Sequence, residues 1–277
     1  MGQELKHKLI SIVFALLVLN VLAARAQVRT AYSTRPFDSK AERLPANYRG
    51  MNPEVIYQNF KRQEELEKKG EFETSDQYNS RISRMRGLPI LGALRRDGIF
   101  AFAVDNLKTT YNADARELEA LVRLGAVWKN VTPDPGLRAF SLKTKILRRK
   151  YVGQNAMGAK VLVDELASES FEAAIANFRQ FKPVELDRRQ FFVKTIIQAD
   201  VAKAKLIKER LRALVVCRLL SPYTGYGAVL DEATFGKSSQ YFLRMYYLNA
   251  EAVELWLYDG MTGEIFRKIP AEEDLKN

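Results

Sequence analysis

The sequence predicts an α+β protein: an N-terminal helical hairpin followed by mostly antiparallel β-sheet with one or two further packed helices. Three observations lead there. Residues 53–87 carry apolar positions at helical spacing together with start and stop signals. From Leu88 onward, short apolar or alternating runs separated by turn residues take over. No regular βαβ alternation follows, so the strands are expected to pair mainly antiparallel.

The chain opens on an export signal. Leu9 to Leu22 is an apolar run, preceded by Lys6 and Lys8 and followed by Ala24-Arg25-Ala26. A basic start, a short apolar stretch and small residues at its end are the anatomy of a secretory signal peptide, with cleavage expected after Ala26. The run falls short of the roughly 20 apolar residues that span a bilayer, and Ser11 and Asn20 interrupt it. The mature chain is therefore expected in the periplasm or outside the cell, and not as an integral membrane protein. A retained anchor is the alternative.

Removing residues 1–26 changes the chemistry available. The net charge falls from +11 to about +9, because Glu4, Lys6, Lys8 and Arg25 leave with the signal. A basic surplus favours an anionic envelope component as partner. The single histidine, His7, is lost as well. That excludes Ser-His-Asp triads, Cys-His dyads and histidine-based zinc sites. Cys217 is the single cysteine, so no disulfide forms within the chain. In an apolar strand with no histidine to activate it, it reads as a small buried hydrophobe. No metal or cofactor is expected.

Residues 27–51 mix Thr30, Ser33, Thr34, Ser39 and Asn47 with Arg29, Arg35 and Arg43, and read as a flexible polar lead-in. The domain proper is then residues 52–277. Asn52 and Pro53 supply an N-cap and first turn, Val55, Ile56, Phe60 and Leu66 a ragged apolar stripe, and Gly70 a stop. Thr74 with Gln77 forms a capping box for a second helix carrying Tyr78, Ile82 and Met85.

Strands are expected at 99–104, 107–111 and 117–122, the last two as a hairpin around Asn112-Ala113-Asp114-Ala115. Val131 to Gly136, with two prolines, reads as a loop or subdomain seam. Further strands are expected at 140–150, 159–166 and 191–197, with Ser170 to Phe178 as a helical turn or two. A basic helix over 199–212 precedes an apolar strand at 213–220. Strands at 241–248, 253–258 and 264–269 close the chain.

Several stretches invite a chemical reading. Phe235-Gly236-Lys237-Ser238 looks like the end of a phosphate loop, but the motif needs glycine at 231, which is Asp. A plain turn, and no nucleotide cofactor, is the expectation. Glu71, Glu73 and Asp76 suit helix capping and the helix dipole better than carboxylate catalysis. Lys143, Lys145, Arg148, Arg149 and Lys150 are the densest basic run and the candidate anion-binding strip; the alternative is a solvated edge strand that repels neighbours. Lys203, Lys205, Lys208, Arg210 and Arg212 load the late helix with charge that either solvates it or lays it on an anionic membrane. Tyr241, Tyr246, Tyr247, Trp256 and Tyr258 either stack on a ligand or pair across strands.

Gly70-Glu71-Phe72-Glu73-Thr74, with Tyr78 and Arg81, resembles the helical opening of a group of exported proteins of Gram-negative bacteria. Tyr111 to Asp114, Tyr151 to Ala156 and Trp256 to Asp259 are similar in kind. The resemblance implies a periplasmic or secreted protein and carries over no catalytic residue. Together these features point to a non-catalytic binding module. The alternatives are a histidine-free carboxylate hydrolase and a peripheral binder of anionic lipid or nucleic acid.

Sequencing the first residues of the purified exported protein is expected to start at Gln27. Soluble protein that still begins at Met1 and retains His7 contradicts the export reading.

Overall fold

The computed structural model describes residues 32–272 except 87, 130–131, 155–156, 187–189 and 235, with backbone alone at 86, 126–129 and 132–137. The expected signal segment, and residues 27–31 of the lead-in, lie outside the described residues.

Helix α1, Pro53–Leu66, starts where its cap dictates: the Asn52 side chain accepts the Glu54 N–H at 3.2 Å, and Pro53 occupies the first turn. Ile56, Tyr57 and Phe60 form its buried face. Helix α2, Ser75–Arg86, carries the expected capping box, with Gln77 N–H donating to Thr74 Oγ1 at 3.2 Å and Thr74 N–H to Gln77 Oε1 at 3.0 Å. Only Ile82 of α2 is buried among its described side chains. Arg81 holds the link between the helices. It donates to Glu73 at 2.7 and 2.8 Å and to the carbonyls of Leu66 and Lys68.

The strands are β1 (Phe100–Val104), β2 (Leu107–Asn112), β3 (Glu117–Lys129), β4 (Thr132–Gln154), β5 (Lys160–Ile175), β6 (Val184–Leu186), β7 (Gln190–Gln198), β8 (Leu211–Asp231), β9 (Ser239–Asp259) and β10 (Ile265–Pro270). One 3-10 turn, Phe178–Phe181, follows β5, and helix α3, Val201–Arg210, precedes β8. The strands form a single mixed sheet in the order β1-β8-β9-β5-β4-β3-β7-β6, with β10 on β9 and β2 on β3. Every pairing is antiparallel except β5 with β9.

The sheet changes partners at Gly125. Before it, β3 pairs with β2 and β7; from it onward, β3 pairs with β4. Leu118, Ala120, Val122 and Leu124 alternate along the first part and are all buried, the period-two signature of a strand facing a core. They join Phe100 and Phe102 of β1, Leu214 to Cys217 of β8, Leu255 to Tyr258 of β9 and the buried face of α1 in one apolar cluster. Helix α3 adds Ala204 and Ile207, and Asp200 caps it by accepting the Lys203 N–H at 2.8 Å.

Four sequence expectations are corrected. Residues 32–51 are not a loose lead-in. Phe37, Leu44 and Met51 are buried, the Leu44 N–H donates to Gly263 O at 2.9 Å, and the Tyr258 hydroxyl donates to the Tyr48 carbonyl at 2.8 Å. Thr132 to Gly136 is strand, paired with β3 beside a register shift between Ala126 and Val127, an irregularity of the kind that accommodates proline; Val131 lies outside the described residues. Ser170 to Ile175 continues β5 and is not helical. The late strands are longer than expected: β8 extends the expected 213–220 strand through Pro222 to Asp231, and β9 fuses the two segments expected at 241–248 and 253–258. A bulge between Leu219 and Thr224 absorbs the proline.

Gly263 has φ +76°, and a Cβ there would lie 1.9 Å from the Leu44 carbonyl oxygen. Gly263→Ala is therefore expected to destabilise by about 3 kcal/mol, by combining a left-handed backbone with a backbone clash. Urea unfolding of the two proteins checks this; a difference under about 1 kcal/mol contradicts it.

Candidate functional site

Strands β4, β5, β8 and β9 each have a buried inner half and an outer half that is exposed in β4 and mostly half-buried or exposed in the other three. In β8 the run Leu211–Leu219 is mostly buried, and Ser221–Asp231 mostly is not. In β4 every residue from Thr144 to Val152 is exposed. Successive side chains on a strand point to opposite faces, so an unbroken exposed run means that both faces are open. The outer halves therefore form a four-stranded sheet that extends beyond the core, and the expected basic strip lies on it.

The register from Lys143 outward is regular and assigns the faces. Lys143, Lys145, Leu147, Arg149 and Tyr151 lie on the face toward α1. Arg148 and Lys150 lie on the opposite face and stay exposed. The three cations toward α1 are all committed. Glu54 of α1 accepts from Lys143 at 2.8 Å and Lys145 at 2.6 Å. Glu165 of β5 takes Arg149 in a fork, at 2.8 and 3.0 Å. The strip thus tethers a helix and a neighbouring strand. The hydrogen bonds from Lys143 and Lys145 hold the Glu54 carboxyl below its ordinary range, and Glu54 raises Lys145 in return.

The polar network continues past Arg149. Gln240 of β9 donates to Glu165 at 3.2 Å and accepts the Tyr151 hydroxyl at 2.9 Å. Arg244 pairs with Glu169 at 3.2 Å and lies 4.5 Å over the Phe242 ring. These groups line a shallow groove of about 360 Å³ with Leu147, Ala167 and Leu230 between them. At its inner end Phe171, Tyr246 and Tyr57 pack ring to ring, with centroids 4.9 to 6.1 Å apart, and Tyr226 adds a fourth ring at 5.6 Å from Tyr246.

The opposite face holds a second hollow, of about 380 Å³. Its inner end is polar, with Asn106, Arg123, Ser141, Ser170 and Glu172; its outer end is apolar, with Ile146, Leu166, Tyr241 and Leu243. The Ser170 hydroxyl donates to Glu172 at 2.9 Å. Burial pushes the Glu172 carboxyl up, against the Ser170 hydrogen bond and the charge of Arg123. Among the described lining residues Glu172 is the one carboxylate. Asp105, also raised by burial, accepts a hydrogen bond from the Thr144 N–H at the edge of β4.

Other sequence candidates fall elsewhere. Lys237 of the phosphate-loop-like stretch closes a turn with Thr234 and pairs with Asp231. Glu73 is held down to about 2 by Arg81 and caps the helix link. Trp256 and Tyr258 are buried structural residues, whereas Tyr241 lines the second hollow. Cys217 is fully buried, and its thiol is pushed up to about 12. Lys203, Lys205 and Lys208 are exposed on α3. Glu54, Glu165, Glu172 and Gln240 were not anticipated. Asp164, Glu165, Glu169 and Glu172, one strand after a basic run, are the signal that would have suggested a cross-strand charge match.

Among the described residues no helix is long and apolar enough to cross a membrane, and no three potential ligand side chains gather to hold a metal ion. The chain matches no protein-family model, no curated protein and no solved structure.

Glu54→Gln is expected to lower stability by about 1 kcal/mol at neutral pH, the scale of a half-screened ion pair with two donors. Folding lowers the Glu54 pKa. Its contribution is therefore complete above the unfolded value and is lost as pH falls through the folded one. Urea titrations should show the gap between the two proteins closing below about pH 4. A gap that stays constant into acid contradicts this role.

Proposed function

We propose that this protein is an exported, non-catalytic binding module of the bacterial envelope, and that the outer halves of β4, β5, β8 and β9 are its binding element. In this reading helix α1 covers the inner end of one face and leaves the rest for a ligand. The basic, apolar and small-residue order of residues 1–26 supports export, as does the resemblance of Gly70 to Thr74 to exported proteins of Gram-negative bacteria.

The observation that carries the reading is apolar exposure on both faces of the outer sheet. Ile146 is 65 % exposed, Leu147 62 %, Leu162 59 % and Leu230 49 %. Covering a side chain of this size is worth about 1.5–3 kcal/mol, so Leu147 and Leu230 on one face and Ile146 and Leu162 on the other leave binding energy on each that the folded chain does not use. Apolar patches rimmed by fixed polar groups mark ligand or partner surfaces.

The charge pattern bears on what is bound. Lys143, Lys145, Arg149 and Arg244 are each matched by Glu54, Glu165 or Glu169. That face, neutralised in this way, offers little free charge to an anionic polymer, whereas Arg148 and Lys150 stay exposed on the other. The neutralised face favours a ligand held by apolar contact and directional hydrogen bonds.

Calorimetric titration of the mature protein against phospholipid, glycan and DNA preparations tests the proposal. One class is expected to bind, with little weakening between low and high salt. Leu147→Glu on the α1 face or Ile146→Glu on the opposite face should weaken that binding about tenfold while circular dichroism is unchanged. Binding that neither variant alters, or no binding to any preparation, contradicts it. A steep loss with salt would instead point to charge-driven attachment.

A further inference from the structure

The second hollow changes chemistry along its length, and it does so in register with the strands. From the row of Ser141 and Glu172 to the row of Leu166 and Tyr241 is six residues along β5, about 20 Å at roughly 3.3 Å per residue. The inner row is polar. Thr144, Ser168 and Ser170 follow. Ile146, Leu243 and Leu166 then take over, and buried Met245 lies beside Ser170 in the row before them. Beyond Leu166 the face turns charged, with Arg148 beside Leu166 and Lys150 paired to Asp164, before the exposed Val152 and Leu162 pair at the tip.

The polar end is close to neutral. Arg123 and Glu172 oppose one another in charge, and the rest are hydroxyls and the Asn106 amide. An anionic head group would meet the Glu172 carboxyl. A cationic one would meet the Arg123 guanidinium. An uncharged head with several hydroxyls finds both acceptors, in Glu172 and the serines, and donors, in Arg123 and Asn106. The volume of about 380 Å³ lies within the range of small-molecule sites.

We propose that this hollow binds a single-chain amphiphile with an uncharged, hydroxyl-bearing head. The head sits against Arg123, Ser170 and Glu172, and the alkyl chain runs outward over Leu243, Ile146 and Leu166. The inference rests on the binding-module reading and narrows it to one face and one ligand class. Burying the chain removes apolar surface from both partners, and the Ser170–Glu172 pair fixes which end of the ligand points toward the core.

The test is calorimetric titration of the mature protein with monolauroylglycerol below its micellar concentration, beside laurate, dodecyltrimethylammonium and glycerol. Monolauroylglycerol is expected to bind one to one, at least tenfold tighter than either charged analogue, and glycerol alone should not bind measurably. Ile146→Glu should weaken binding about tenfold or more. Because Ile146 is exposed, that variant is expected to keep the wild-type unfolding midpoint. Leu206→Glu, exposed on helix α3 and away from the outer sheet, should leave the affinity unchanged. Glu172→Gln should narrow the preference over laurate, an effect that loss of packing alone would not produce. Equal binding of the charged analogues, or an Ile146→Glu variant with wild-type affinity, overturns the inference. So does no binding of monolauroylglycerol while another envelope component binds, which leaves the module reading standing. No binding of any preparation defeats both.

Discussion

Strands β8 and β9 are longer than the core they serve, and the rest of the molecule follows from that mismatch. Each has 21 residues, which at about 3.3 Å per residue reaches up to about 70 Å. A compact domain of this length has a radius of gyration of about 18 Å, which corresponds to a body about 46 Å across. The surplus has to leave the core. It does so together with β4 and β5, the strands that pair alongside. The inner halves bury Trp256, Tyr258, Leu214 and Phe140 completely, and the outer halves present side chains to both sides.

A sheet open on two faces is hard to stabilise by burial, because neither face has a layer packed upon it. Here the outer halves borrow their stability from the inner ones through continuous strands. Local ties add to it: Glu54 to Lys143 and Lys145, Glu165 to Arg149, and Glu169 to Arg244. The free edge of β4 is also guarded. Lys145, Arg148, Arg149 and Lys150 crowd the stretch where another strand would add, and an identical edge would bring like charges together. The basic run is thus both edge protection and, through Lys143, Lys145 and Arg149, tether.

Local signals were legible wherever one short-range rule decided the outcome. Asn52-Pro53 and the Thr74/Gln77 box marked helix starts that the structure shows, whereas the first helix ends at Leu66, before the expected stop at Gly70. The Asn112 to Arg116 turn joins β2 and β3 as its residues suggest, with the Asn112 side chain accepting from Asp114 and Ala115. Illegible was anything that depended on a strand changing surroundings midway. Apolar 213–217 reads as a core strand, but Pro222, Gly225 and Gly227 read as its end. Only pairing with β9 on the far side of a bulge keeps the chain extended there. In the same way Ser170 to Ile175 lacks a clear alternation because both of its faces approach the core. The candidate site lies where those fused strands meet, so its residues on β5 and β9 carried no signal of convergence. The polar lead-in misread as loose is held by backbone hydrogen bonds, to Gly263 and Ala101, that side-chain composition does not announce.

The central claim is that one set of strands serves two regimes, a buried core and an open sheet. Native-state amide hydrogen exchange, read residue by residue, tests it most directly. Amides of 211–219 and 248–258 should exchange only through global unfolding. Those of 145–152, 160–168, 224–231 and 239–244 should open at markedly lower free energy. Protection that is uniform along β8 and β9 would mean that the outer halves are covered as well as the inner ones, and would contradict the account.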